Sequence, residues 1–127
     1  MVVKIYCCGC EAHVNARLTD GKEIYPHRKD LYKLPFWKCD ECNNFVGCHH
    51  KTNDRTAPLG CIPTKEIRSV RSLVHSELDP LWKGGKYTRK QLYAILNQKT
   101  GMEGGYHTAK IRSVDDGMKI YQLLKSL

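Results

Sequence analysis

Four cysteines in two Cys-x-x-Cys pairs, Cys7/Cys10 and Cys39/Cys42, are the residues of this chain whose type and spacing best suit chemistry. Each pair can fold into a knuckle that offers two sulfurs about 2.3 Å from a metal, so two pairs complete a tetrahedral Zn²⁺ site. The 28 residues between the pairs fit one shared ion. The other reading is two buried or disulfide-bonded pairs. Seven cysteines are an odd number, so pairing cannot be complete within the chain. No basic-then-apolar leader precedes Cys7, and no apolar run approaches the ~18 residues of a membrane span. A cytoplasmic location is therefore expected, with thiols kept reduced for a metal and no membrane partner.

A second group with chemical potential lies in the polar segment 47–63, where Cys48, His49, His50 and Asn53 fall close together. Long loops in small domains are commonly functional or mobile. A histidine base beside a hard cation could activate water, as in a nuclease of the ββα-metal type. Against that, no convincing second histidine follows His49 and His50 within a helix, and His27, His75 and His107 are too scattered to assign. Paired carboxylates, a Ser/His/Asp order and a phosphate-binding glycine loop are all missing, and Gly84-Gly85-Lys86 is too short for one. The plainer reading packs the loop over the sheet, with Cys48 as a small buried hydrophobe and the histidines solvated. Catalysis is not expected.

The elements that must position the cysteines read as β ribbon. Val3 and Ile5 alternate with Lys4 and Tyr6 before the first knuckle, and residues 13–18 suit a return strand. Thr19-Asp20-Gly21 reads as a hairpin turn that brings residues 22–25 back as a strand. Phe36-Trp37-Lys38 leads into the second knuckle and Phe45-Val46 leads out. Aromatic and β-branched residues thus flank both pairs, as strands entering and leaving a zinc knuckle require. A strand after Cys42 favours a zinc ribbon over a treble clef, which would place a helix there.

Beyond the loop, Ile67, Val70, Val74, Leu78 and Leu81 recur every three or four residues and predict a long amphipathic helix from Pro63 or Thr64 to about Leu78. Asp79-Pro80 should end or kink it. Thr88-x-x-Gln91 is a capping box for a short helix that stops before Gly101, and Ser113 caps a last helix through Leu124. The expected class is α+β: an N-terminal zinc ribbon over 1–62, then a helical subdomain over 63–127 packed on it. That subdomain comprises the long helix and a two-helix unit.

Charge suggests the partner. The net charge is +8 and the pI about 9.2, which favours a polyanion, most often nucleic acid. Lys83, Lys86, Arg89, Lys90 and Lys99 lie in a stretch, 83–100, that contains no acidic residue. Arg68, Arg71 and His75 form one stripe on the long helix. A solvated face is the default for such a stripe, and phosphate contact is the alternative. Tyr87 is available for stacking on bases. Trp37 and Trp82 read as core anchors. A basic surface would equally suit an acidic patch on a host protein.

Taken in order, the motifs resemble a family of small zinc-finger-containing proteins of bacteriophages and prophages. They run from the first Cys-x-x-Cys through Trp37-x-Cys39-x-x-Cys42-x-x-Phe45-Val46-Gly47-Cys48-His49, Thr52-Asn53 and Pro58-Leu59-Gly60 to Asp79-Pro80-Leu81-Trp82. Cys61 stands where that pattern has threonine, Cys8 sits between the knuckle sulfurs, and the segment around His50 is long. The resemblance implies a structural zinc and a phage or prophage setting, and no reaction. The expected function is non-catalytic, zinc-stabilised nucleic-acid binding. Binding and modulating a host protein is the alternative.

Overall fold

The structure, a computed structural model, describes residues 2–127. The chain divides into two compact units, Met1–Lys65 and Glu66–Leu127. In the first, four antiparallel strands lie in chain order in one sheet: β1 (Val2–Cys7), β2 (Ala12–Asp20), β3 (Pro35–Lys38) and β4 (Phe45–Gly47). Side chains two apart share a face of a strand. Ile5 and Cys7 of β1 therefore point inward together, and Val14, Ala16 and Leu18 of β2 line the same core. Trp37, Cys39, Val46, Cys48 and Ile62 complete it. Beside it, the rings of Tyr25, Phe36 and Phe45 meet edge to face, with centroids 5.8, 5.5 and 5.9 Å apart.

Residues 22–25 do not pair back as a strand. Asp20 instead caps a single helical turn, α1 (Gly21–Ile24), its carboxylate accepting from the Lys22 and Glu23 N–H groups at 3.1 and 3.2 Å. A short acceptor side chain competes well for such unpaired amides, and here that outweighs the hairpin. Gly21 is required for close approach: a Cβ there would lie 1.7 Å from the Leu31 carbonyl oxygen. On the side away from β1, β2 pairs with β3, with Arg17 opposite Lys38 and Asp20 opposite Pro35.

The long polar segment folds back on the ribbon. Trp37 Nε1 donates to the Thr56 carbonyl at 2.7 Å, Cys48 bridges to Pro58, and Ile62 bridges in parallel to Cys7. Cys48 is buried, His49 exposed and His50 half-buried.

The second unit is helical: α2 (Lys65–Lys83), α3 (Arg89–Thr100) and α4 (Val114–Lys125). Ile67, Val70, Val74 and Leu78 form the buried face of α2. Pro80 does not end this helix. It sits at an exposed position, and the half-buried Leu81 and Trp82 beyond it continue the turn until Gly84, whose N–H bonds the Pro80 carbonyl at 2.8 Å. Favourable packing on both sides offsets the one missing hydrogen bond. The capping box of α3 is complete, Gln91 N–H to Thr88 Oγ1 at 3.1 Å and Thr88 N–H to Gln91 Oε1 at 3.0 Å. Gly101 closes α3 at φ 62°. In α4, Gly117 is a contact point with α2: a Cβ would fall 1.9 Å from Val70 Cγ1. Among the described residues, no helix is long and apolar enough to cross a membrane.

Candidate metal centre

The first knuckle occupies the connection from β1 to β2, and the second that from β3 to β4. The tight turn of the first uses Glu11 at φ 53° and that of the second Asn43 at φ 64°. In the second knuckle Asn43 N–H bonds the Cys39 carbonyl and Cys39 N–H the Asn44 carbonyl, both at 2.8 Å. Residues after Cys7 and after Cys42 turn their amides back onto sulfur. The N–H groups of Gly9 and Cys10 face Cys7 Sγ, and that of Asn44 faces Cys42 Sγ.

The two turns bring the four sulfurs of Cys7, Cys10, Cys39 and Cys42 within 4.8 Å of one another. Cys7 Sγ lies 3.3 Å from Cys42 Sγ, and Cys10 Sγ 3.6 Å from Cys39 Sγ. A tetrahedron with Zn–S bonds of about 2.3 Å has edges of about 3.8 Å, so the donor set fits one Zn²⁺. None of these cysteines is in a disulfide. Among the described residues, this is the one cluster of three or more His, Cys, Asp or Glu side chains within reach of a common ion. His49 and His50 join no such group.

Crowding of four thiols sets their electrostatics. Burial, opposed by the amides of Cys10 and Gly9, pushes the Cys7 thiol up. The Cys39 thiol beside Cys10 pushes Cys10 up to about 12, and burial adds to it. Cys42 goes the other way: burial is outweighed by the Asn44 amide and the neighbouring thiols, which favour its thiolate. A divalent cation removes the conflict by binding all four as thiolates.

Two residues that the cysteine spacing did not flag complete the site. Asn44 Nδ2 donates to Cys42 Sγ at 3.2 Å. Gly9 lets the knuckles meet, since a Cβ would lie 2.6 Å from Asn44 Nδ2 and 3.2 Å from Cys42 Sγ. A glycine inside a Cys-x-x-Cys turn was the available signal for Gly9. Asn44 had none.

The cations singled out for nucleic acid fall in the second unit and separate into two sets. Arg71 is buried at 8% exposure, and its Nε and Nη2 donate to the Ile111 carbonyl at 3.1 and 2.6 Å. It braces the helical core and does not belong to an exposed stripe. Arg68 is half-buried, and His75 is exposed 3.8 Å from Asp79. Lys83, Lys86, Arg89 and Lys90 are all exposed. Trp82 is half-buried rather than a core anchor: Lys83 Nζ and the Arg89 guanidinium lie 5.4 and 5.5 Å from its ring centroid. Arg89 is also 5.5 Å from the Tyr93 ring, and Lys86 Nζ is 5.9 Å from Tyr87. Arg89, Lys90, Tyr93 and His107 line a shallow cavity of about 360 Å³. Trp37, by contrast, is 2% exposed and anchors the first core.

The DUF3268 family, a zinc-finger-containing domain, matches residues 3–126. No curated protein and no solved structure matches the chain.

Proposed function

The chain belongs to this family of zinc-finger-containing domains, and from that premise we propose that it is a non-catalytic nucleic-acid-binding protein stabilised by one structural Zn²⁺. Cys7, Cys10, Cys39 and Cys42 hold the ion in a closed site, with all four positions taken by protein sulfur. Such a site contributes folding energy and leaves no coordination position for a substrate.

Nucleic-acid binding rests on one observation: exposed cations interleaved with half-buried aromatic rings at the joint between α2 and α3. Arg89 lies near both Trp82 and Tyr93, with Lys83, Lys86 and Lys90 around it. Ammonium and guanidinium groups neutralise phosphates, and ring faces stack with unpaired bases, so the combination favours single strands. The phage or prophage setting and the cytoplasmic location remain part of this reading, on the resemblance and the reduced thiols.

A groove of about 580 Å³ supports a second reading, that the chain binds an acidic host protein. Ile111, Ile120 and Leu123 line the groove together with Lys99, Lys110, Arg112 and Lys119, against the single carboxylate of Asp116.

Trp82 fluorescence tests the first reading. Addition of single-stranded oligonucleotide to zinc-loaded protein should quench it, and Trp82→Phe should remove the response, leaving the buried Trp37 signal unchanged. Absence of quenching at saturating oligonucleotide would turn the assignment toward the protein partner.

A further inference from the structure

Three thiols remain outside the metal cluster, and two of them face each other. Cys8 Sγ and Cys61 Sγ lie 3.9 Å apart, with the residues 7% and 8% exposed. The backbone fixes this approach. Cys8 N–H donates to the Ile62 carbonyl and Ile62 N–H to the Tyr6 carbonyl, both at 2.8 Å, and Cys7 bridges in parallel to Ile62. Cys8 thus sits one residue after the bridge on one segment, and Cys61 one residue before it on the other. The sulfurs, 3.9 Å apart, would have to close by about 1.9 Å to reach an S–S bond of about 2.05 Å.

Each neighbouring sulfur has a different assignment. Cys7, Cys10, Cys39 and Cys42 form the metal cluster, which does not include Cys8. Cys48 belongs to the core cluster with Trp37, Val46 and Ile62, where burial pushes its thiol up.

We infer that Cys8 and Cys61 form an oxidisable dithiol, which a low-molecular-weight disulfide converts to an intramolecular disulfide while the metal thiolates stay in place. One cysteine, as thiolate, attacks a sulfur of the small disulfide; the first S–S bond breaks and one small thiolate leaves. The second cysteine then attacks the resulting mixed disulfide, forming the Cys8–Cys61 bond and releasing the second small thiolate. The two protein thiols lose two protons and two electrons, and the small disulfide gains both as two thiols. The new bond would tie the end of the long loop to the first knuckle across 53 positions of sequence. It restricts the unfolded chain, so the oxidised form should melt at a higher temperature than the reduced one.

The test uses the zinc-loaded full chain incubated with excess oxidised glutathione, followed by alkylation, peptide mapping and a chelator assay for released zinc. The expected product is a Cys8–Cys61 cross-linked peptide with zinc retained. Cys8→Ser and Cys61→Ser should each stop at a single glutathione adduct on the remaining partner. Disulfides among the knuckle cysteines with zinc released, while Cys8 and Cys61 stay alkylatable, would overturn the inference. So would persistent mixed adducts in the unsubstituted chain, or no reaction in the folded protein when the denatured chain is oxidised.

Discussion

At Gly9 one methyl group decides whether the two knuckles can close. Gly9→Ala would place carbon 2.6 Å from Asn44 Nδ2, displacing the amide that supports Cys42 Sγ. Groups behind metal ligands are typically worth 10–100-fold in affinity. Gly9→Ala and Asn44→Ala are therefore each expected to lower zinc affinity by about tenfold or more, read by competition with a chromogenic chelator. Equal affinity in both variants would remove these residues from the site. Arg71 makes the opposite point. The sequence places it on a stripe with Arg68 and His75, yet its guanidinium donates inward to the Ile111 carbonyl. Helical spacing reports which residues share a face, but an arginine near the edge of that face can turn its head either way. Arg71→Leu should cost about 1.5–3 kcal/mol in urea unfolding, the range for a hydrogen bond to a charged group, with oligonucleotide affinity unchanged. A loss of affinity at unchanged stability would return Arg71 to the binding surface.

At the scale of elements, the β ribbon was legible because cysteine spacing and strand alternation agreed. Ile5 and Cys7 point inward, as a period of two demands, and Phe45-Val46-Gly47 is a strand. The turn α1 was not legible, because Asp-Gly suits both a hairpin and a helix cap, and the choice depended on Leu31 lying against Gly21. That turn positions Glu23 to receive Arg17 at 2.8 Å and Lys38 at 2.9 Å, while Arg17 also reaches Asp40 at 2.9 Å. Hydrogen bonds from Arg17 first, then Thr19 and Lys38, hold the Glu23 carboxyl far below its ordinary 4.5, and Arg17 lowers Asp40. Depressed carboxyl values mean that this network stabilises the fold above pH 4.5 and is lost as acid protonates it. The stability gap between the unsubstituted chain and Glu23→Gln should be largest near neutrality and shrink as pH falls below 4.5. A gap independent of pH would show that the network contributes through shape alone. In the helical unit, Gly117 weakens the sequence signal for α4 yet is what lets α4 approach Val70. Gly117→Ala should destabilise by about 1–3 kcal/mol through overpacking, measured by thermal unfolding.

For the whole molecule, a polar, basic chain with a modest core places its structural chemistry in the first unit and its exposed cation–aromatic surface in the second. The pattern of charge could be read from the sequence at 83–100. Tyr93 lies four residues after Arg89 on α3, so helical spacing alone brings those two together. Trp82, by contrast, meets Arg89 only once the joint between α2 and α3 is folded. The central claim is that zinc-loaded protein binds single-stranded nucleic acid through Lys83, Lys86, Arg89 and Lys90. The most direct measurement is an oligonucleotide titration over a range of salt concentrations, with zinc content determined in the same samples, for the unsubstituted chain and a variant with all four cations changed to Glu. Affinity should fall steeply with salt, and the variant's log–log slope should be shallower by about 3, from four lost phosphate contacts at about 0.7 each on a single strand. Full zinc loading with no measurable affinity, or an affinity and salt slope that the four substitutions leave unchanged, would contradict the account.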